Sequence, residues 1–156
     1  MDLEHIGQRI RQHRKAQGRT LDEVSRSMGI TLQRLGQIER GGAIRVDQLT
    51  AASLALGIPT GELLGEAVET ARPPSVEHLG RRIRLRRVEL DLTQGDLGEA
   101  IDMPYQQLHR IEAGKRSLRV EQLAAIAGAL RCPMGYLLGE VPHPEGGWLA
   151  ESGGKD

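Results

Sequence analysis

The sequence contains no phenylalanine, and its aromatic residues amount to 2% of 156 positions. A core must therefore be built from Leu, Ile, Val and Ala. That suits small helical domains better than a sandwich or barrel, which favours aromatic and β-branched residues. A single cysteine, Cys132, excludes an intramolecular disulfide and points to a reducing, cytoplasmic compartment. No apolar run reaches the roughly 18 residues of a membrane helix. The first residues, MDLEHIGQRI, lack the basic start and apolar stretch of a signal peptide. Formal net charge is zero, so any contact with polyanions must come from local concentrations of Lys and Arg. Hydrophobic residues at 38% and charged residues at 27% fit a globular chain.

What is present is a repeat. Residues 4–41 align with 77–114 at an offset of 73, and 44–66 with 118–140 at an offset of 74. Identities number 13 in each block, 26 of 61 aligned positions. They include Gly7/Gly80, Arg14/Arg87, Thr20/Thr93, Leu35/Leu108, Glu39/Glu112, Pro59/Pro133 and LLGE at 63–66 and 137–140. Two copies are too few for a solenoid, and each is long enough to fold alone. The expected division is a first domain at 1–66, a linker at 67–75, a second domain at 76–140 and a flexible tail at 141–156. Pro73 and Pro74 break any helix in the linker. Trp148 and Leu149 are docking candidates in the Pro- and Gly-rich tail.

Each copy reads as five short helices, with no alternating strand pattern. In the first copy a helix over about 3–17 places Ile6 and Ile10 four apart. Thr20 and Glu23 form a capping box for the second helix, which buries Val24 and Met28 and ends at Gly29. Thr31 caps a third helix with Leu35 and Ile38 inward, stopped by Gly41 and Gly42. A fourth carries Val46, Leu49 and Leu56, and Pro59 starts a fifth with Leu63 and Leu64. The second copy repeats the plan with Thr93, Leu97, Ile101, Leu108, Ile111, Leu123, Leu130, Leu137 and Leu138. There Pro104 suits the first position of the third helix. Asp102 stands where the first copy has its turn glycine, although Asp tolerates the left-handed region less well.

The second and third helices, joined by GIT in one copy and DMP in the other, make a helix-turn-helix. Together with the helix-1 Arg, IERG, and ALG-P…LLG, this pattern resembles the phage-repressor/Cro-like (XRE) family over 3–66 and 76–140. The resemblance implies an all-α fold of two tandem lambda-repressor-like five-helix domains, each carrying a helix-turn-helix. It also implies a bacterial or phage transcriptional regulator whose partner is double-stranded DNA.

In that family the third helix enters the major groove. By position, the first copy would present Leu32, Gln33, Arg34, Gln37 and Arg40. The second would present Tyr105, Gln106, Gln107 and Arg110. Gln suits adenine and Arg suits guanine in bidentate pairing. Gln94 opens the second helix of copy two, where the family commonly places a phosphate-touching Gln; copy one has Leu21. Lys115 and Arg116 follow the reading helix of copy two as further phosphate ligands. Glu39 and Glu112 are expected to pair with Arg14 and Arg87, locking the first helix onto the third.

Charge separates the copies. Residues 1–70 carry equal numbers of acids and bases, whereas 71–140 carry eleven bases against nine acids, and the tail is net −2. Arg81, Arg82, Arg84, Arg86 and Arg87 crowd the first helix of copy two. That copy is expected to be the better phosphate binder. Copy one is open to a role as a protein-binding module of the antiactivator or antitoxin kind. A linker of about ten residues reaches up to roughly 33–36 Å when extended, long enough for one chain to cover two half-sites; a homodimer and a protein partner through domain 1 or the tail stay open.

Other chemistry is poorly supported. The histidines at 5, 13, 78, 109 and 143 are scattered, and with one Cys they offer no zinc spacing. Cys132 aligns with Ile58 and reads as a small buried hydrophobe. No nucleophile–base set or phosphate-binding glycine loop is present. The expectation is a regulator without cofactor or metal, not an enzyme.

Overall fold

The computed structural model describes residues 3–66 and 73–141. Expectations for the rest of the linker and for the tail, Trp148 and Leu149 included, lie outside these residues. The chain divides into two compact units, 1–68 with 117–121 and 69–116 with 122–156. Residues 117–121 count with the first because Val46 N donates to Leu118 O (2.8 Å) and Val120 N to Ile44 O (3.1 Å). This is a single antiparallel bridge; no strand occurs among the described residues.

In the first unit a 3-10 turn at Leu3–His5 leads into α1 (Ile6–Ala16), followed by α2 (Leu21–Met28), α3 (Leu32–Glu39), α4 (Val46–Leu56) and α5 (Thr60–Leu63). The second repeats the order with α6 (Leu79–Glu89), α7 (Gln94–Ala100), α8 (Tyr105–Glu112), α9 (Val120–Ala129) and α10 (Met134–Leu137). The fold is all-α. Ile10, Leu35, Ile38, Leu49, Leu63 and Leu64 are fully buried in one unit. Ile83, Leu97, Leu108, Leu123, Ile126 and Leu130 are fully buried in the other.

The helix starts follow from side-chain capping. Thr20 Oγ1 accepts from Glu23 N (3.1 Å) while Thr20 N donates to Glu23 Oε2 (2.7 Å). In the second unit Asp96 takes the part of Glu23, with Thr93 N donating to its Oδ2 at 2.8 Å. Two of the four orphan N–H groups at each helix start are thereby satisfied. These bonds hold both carboxyls below their ordinary range. Thr31 Oγ1 accepts from Arg34 N at 3.1 Å and caps α3. Pro104 is the N-cap of α8 rather than its first helical residue, because ψ 139° keeps it extended. Ile101 is only half-buried: it falls just beyond the end of α7, whereas its counterpart Met28 is the last residue of α2.

Several repeated residues acquire a reason. A Cβ on Gly7 would stand 1.9 Å from Ile38 O, and one on Gly80 2.4 Å from Ile111 O. The first helix of each unit thus lies directly against the backbone of the third. Arg9 Nη1 donates to Leu63 O and Arg82 Nη1 to Leu137 O, both at 3.2 Å. These bonds fasten the first helix to orphan carbonyls of the fifth.

The units differ where the backbone turns left-handed. Gly18, Gly29 and Gly57 have φ of 67°, 70° and 68°; the aligned Asp91, Asp102 and Arg131 have 56°, 54° and 53°. The second unit therefore carries three left-handed residues with side chains, of which Arg131 is the least suited.

Candidate nucleic-acid interface

Each third helix is held from beneath by a paired charge. Arg14 Nε and Nη2 donate to Glu39 Oε1 and Oε2 at 2.7 and 2.9 Å. Arg87 does the same to Glu112 at 2.6 and 3.0 Å. The pairing is bidentate and largely buried, the geometry in which Arg–carboxylate bonds are strongest. The hydrogen bond to Glu39 holds the Arg14 guanidinium above its ordinary pKa. Arg14 Nη1 also donates to Arg19 O (3.0 Å), and Arg87 Nη1 to Leu92 O (2.7 Å). The arginine therefore ties the first helix both to the third and to the loop before the second.

With the inner face fixed, the outer face is what remains for recognition. On α8, Leu108 and Ile111 point inward. Tyr105, at 56% exposure, Gln106 and Arg110 stand outward, and Lys115 and Arg116 are exposed on the following turn. Gln106 and Arg110 are four residues apart and share a helix face. Gln107 is half-buried at its edge. Gln94 does not project freely: its Nε2 donates to Glu112 Oε2 at 2.8 Å. The same amide nitrogen lies 3.5 Å from His109 Nδ1. His109 is exposed on α8 and was not among the residues expected at the site. The signal that could have found it is its spacing, four after Tyr105 and three after Gln106.

The first unit is built differently on the same scaffold. Leu32, at 44% exposure, Gln33 and Gln37 are outward on α3. Arg34 turns aside, its Nη2 donating to Ala43 O (2.7 Å) and Gln48 Oε1 (2.8 Å). Its charge closes the loop between α3 and α4. Arg40 is exposed, but its guanidinium lies across Gly36, 3.2 Å from where a Cβ there would sit. Leu21, in the place of Gln94, has no amide to offer Glu39.

The crowd of arginines on α6 needs a correction. Arg82, Arg86 and Arg87 are buried. Arg86 Nε donates to Leu130 O (3.0 Å), Nη2 to Arg131 O (3.3 Å), and Nη1 pairs with Glu89 (3.1 Å). Three of the five are structural: Arg82 and Arg86 are satisfied by free carbonyls at helix ends, and Arg87 by the Glu112 carboxylate. Only Arg81 and Arg84 face outward.

Cys132 is half-buried, and burial pushes its thiol up to about 12. Among the described residues no group of His, Cys, Asp or Glu is arranged to hold a metal ion. Among the same residues no helix is long and apolar enough to cross a membrane.

Two tandem units of five helices, each with a helix-turn-helix braced by a buried Arg–Glu pair, define the class. The chain belongs to the helix-turn-helix family whose model matches residues 10–63 and again 83–137. Among curated proteins it is 34% identical over 70 residues to an uncharacterized HTH-type transcriptional regulator of Sinorhizobium medicae. That alignment covers 45% of this chain and 50% of the relative. A Rhizobium meliloti regulator matches with the same identity and coverage. An uncharacterized transcriptional regulator in the ATPase CF(0) region of Rhodospirillum rubrum is 33% identical over 75 residues, 46% of this chain and 69% of that one. The chain thus spans about half the length of the first two relatives. The solved apo form of the competence regulator ComR from Streptococcus vestibularis aligns at 18% identity with a TM-score of 0.38, over 81% of this chain and 47% of that one.

Proposed function

We propose that this protein is a sequence-specific DNA-binding transcriptional regulator, with the second unit as its principal reading head. One observation carries the reading: α8 turns Tyr105, Gln106 and Arg110 outward from a helix fixed by the Arg87–Glu112 pair, with Lys115 and Arg116 exposed just beyond. Gln106 and Arg110 have the donors and acceptors that distinguish adenine and guanine in the major groove. Lys115 and Arg116 supply the sequence-independent attraction to phosphate. The names of the helix-turn-helix relatives support the same role. On this reading the two covalently joined heads recognise an asymmetric site, since their outward letters differ.

A second reading applies to the first unit. Arg34 is engaged by Ala43 and Gln48, and Leu32 is exposed at the start of α3. That face is better suited to a protein partner, through which the chain would act as an antiactivator- or antitoxin-like regulator.

The test is selection from a random duplex pool, followed by binding measurements at several salt concentrations. Enrichment of a defined sequence whose binding weakens with added salt is expected. A chain that enriches no duplex at low salt is not a DNA-reading regulator.

A further inference from the structure

His109 is the exposed end of a chain of side chains that begins inside the second unit. Arg87 holds Glu112, Glu112 Oε2 accepts from Gln94 Nε2 at 2.8 Å, and that nitrogen lies 3.5 Å from His109 Nδ1. Only the NH2 end of an amide can donate to a carboxylate, so the atom facing Nδ1 is also a donor. A hydrogen bond at this contact requires Nδ1 as the acceptor, the tautomer that carries the ring proton on Nε2. With Nδ1 turned toward α7, Nε2 is directed away from it. Residue 109 follows Tyr105 by four and Gln106 by three, so the ring shares their exposed face. It also adjoins Arg110 in sequence. The first unit has none of this arrangement: Leu21 and Gly36 occupy the positions of Gln94 and His109.

We infer that His109 is a further DNA-contacting residue of the second unit, donating Nε2–H to a lone-pair acceptor on the duplex and oriented for it by Gln94. The acceptor is a phosphate oxygen or the O6 or N7 of a guanine, groups that take the same hydrogen bond. The inference rests on the DNA-reading role proposed above. Gln94 is a positioning residue here, acting through the ring.

The test uses the full chain and the duplex enriched from a random pool, with a panel of its single-base variants. Dissociation constants are measured for wild type, His109→Ala, Gln94→Ala and the double variant, with circular dichroism to confirm that helix content is kept. His109→Ala is expected to weaken binding roughly 3- to 10-fold, the factor one ordinary hydrogen bond supplies. A loss equal across the panel assigns the contact to phosphate; a loss confined to one base pair assigns it to a base edge. The double variant should bind about as His109→Ala does, because the two losses overlap. Losses that add in full would overturn the positioning role of Gln94. Wild-type affinity for every duplex in His109→Ala would overturn the contact while leaving DNA reading intact. A wild-type chain that enriches no duplex removes both.

Discussion

Arg87 grips Glu112 through two parallel hydrogen bonds of 2.6 and 3.0 Å, with only 10% and 3% of the two side chains exposed. The pair joins the first helix of the second unit to the end of its third, α8. Removing one member strands the other charge in a desolvated place. Glu112→Ala should therefore destabilise the second unit by about 3–5 kcal/mol. Hydrogen exchange of α6 and α8 amides in denaturant reads this. A loss below about 1 kcal/mol, the range of exposed pairs, would contradict it.

Gly80 sits where α6 meets the backbone of α8, and a Cβ there would stand 2.4 Å from Ile111 O and 2.7 Å from Glu112 O. Neither carbonyl is a flexible side-chain end. Gly80→Ala gains helix propensity of roughly 1 kcal/mol but forces the two helices apart, so net destabilisation is expected. Thermal unfolding decides the sign, and an unchanged or raised melting temperature would contradict the close approach.

Arg131 occupies the left-handed region at φ 53°, where the first unit has Gly57. The left-handed conformation costs a side-chain-bearing residue roughly 1–2 kcal/mol, and part of the gain from glycine is offset by its freer unfolded chain. Arg131→Gly should stabilise the second unit by a little under about 1 kcal/mol. The Arg131 carbonyl that accepts from Arg86 is kept in the variant. Chemical denaturation measures the difference; a net loss would mean the arginine side chain contributes more than its backbone strain costs.

Cys132 has its thiol pushed up to about 12 by burial. At neutral pH it is held as the thiol, which is the unreactive form. Maleimide or a disulfide reagent should modify the folded chain far more slowly than the chain in denaturant. Between pH 7 and 9 the unfolded thiol speeds up as it ionises, whereas the folded one should stay slow. Equal rates in the two states would show the sulfur to be accessible.

Arg110 and Arg116 separate two kinds of contact. If DNA is read as proposed, Arg110→Ala costs about 1–3 kcal/mol on the selected duplex and relaxes preference at one base pair. Arg116→Ala weakens all duplexes alike and reduces the salt slope by about 1. Equal loss on every sequence for Arg110→Ala would refute base reading at that position.

Much of this architecture was legible in the sequence because its signals are local or repeated. Thr20 with Glu23 specifies a helix start within four residues. The resemblance to the phage-repressor/Cro-like family implied the Arg14–Glu39 and Arg87–Glu112 pairs, whose four members recur at matching positions of the two copies. What the sequence hid depends on where long side chains turn. Arg34 and Arg110 look alike as letters on the third helices of the two units. One folds back onto Ala43 O and Gln48; the other faces outward. Counting arginines on the first helix of copy two overstated its outward charge for the same reason, since Arg82 and Arg86 are consumed by carbonyls far along the chain. His109 reads in the sequence as one of five scattered histidines because its neighbour Gln94 lies fifteen residues earlier on another helix.

The unlike neighbours of two alike third helices set a rule for grafting. Copying Tyr105, Gln106 and Arg110 onto positions 32, 33 and 37 would transfer the letters of one head to the other. They would arrive above Leu21 and Gly36, without the amide and imidazole that stand beside them in their own unit. If Gln94 and His109 act as inferred above, a chimera meant to carry the second unit's specificity needs Leu21→Gln and Gly36→His as well, with the Arg40 guanidinium, 3.2 Å from where a Cβ at 36 would sit, moved aside; the smallest transplantable unit then spans two helices rather than one.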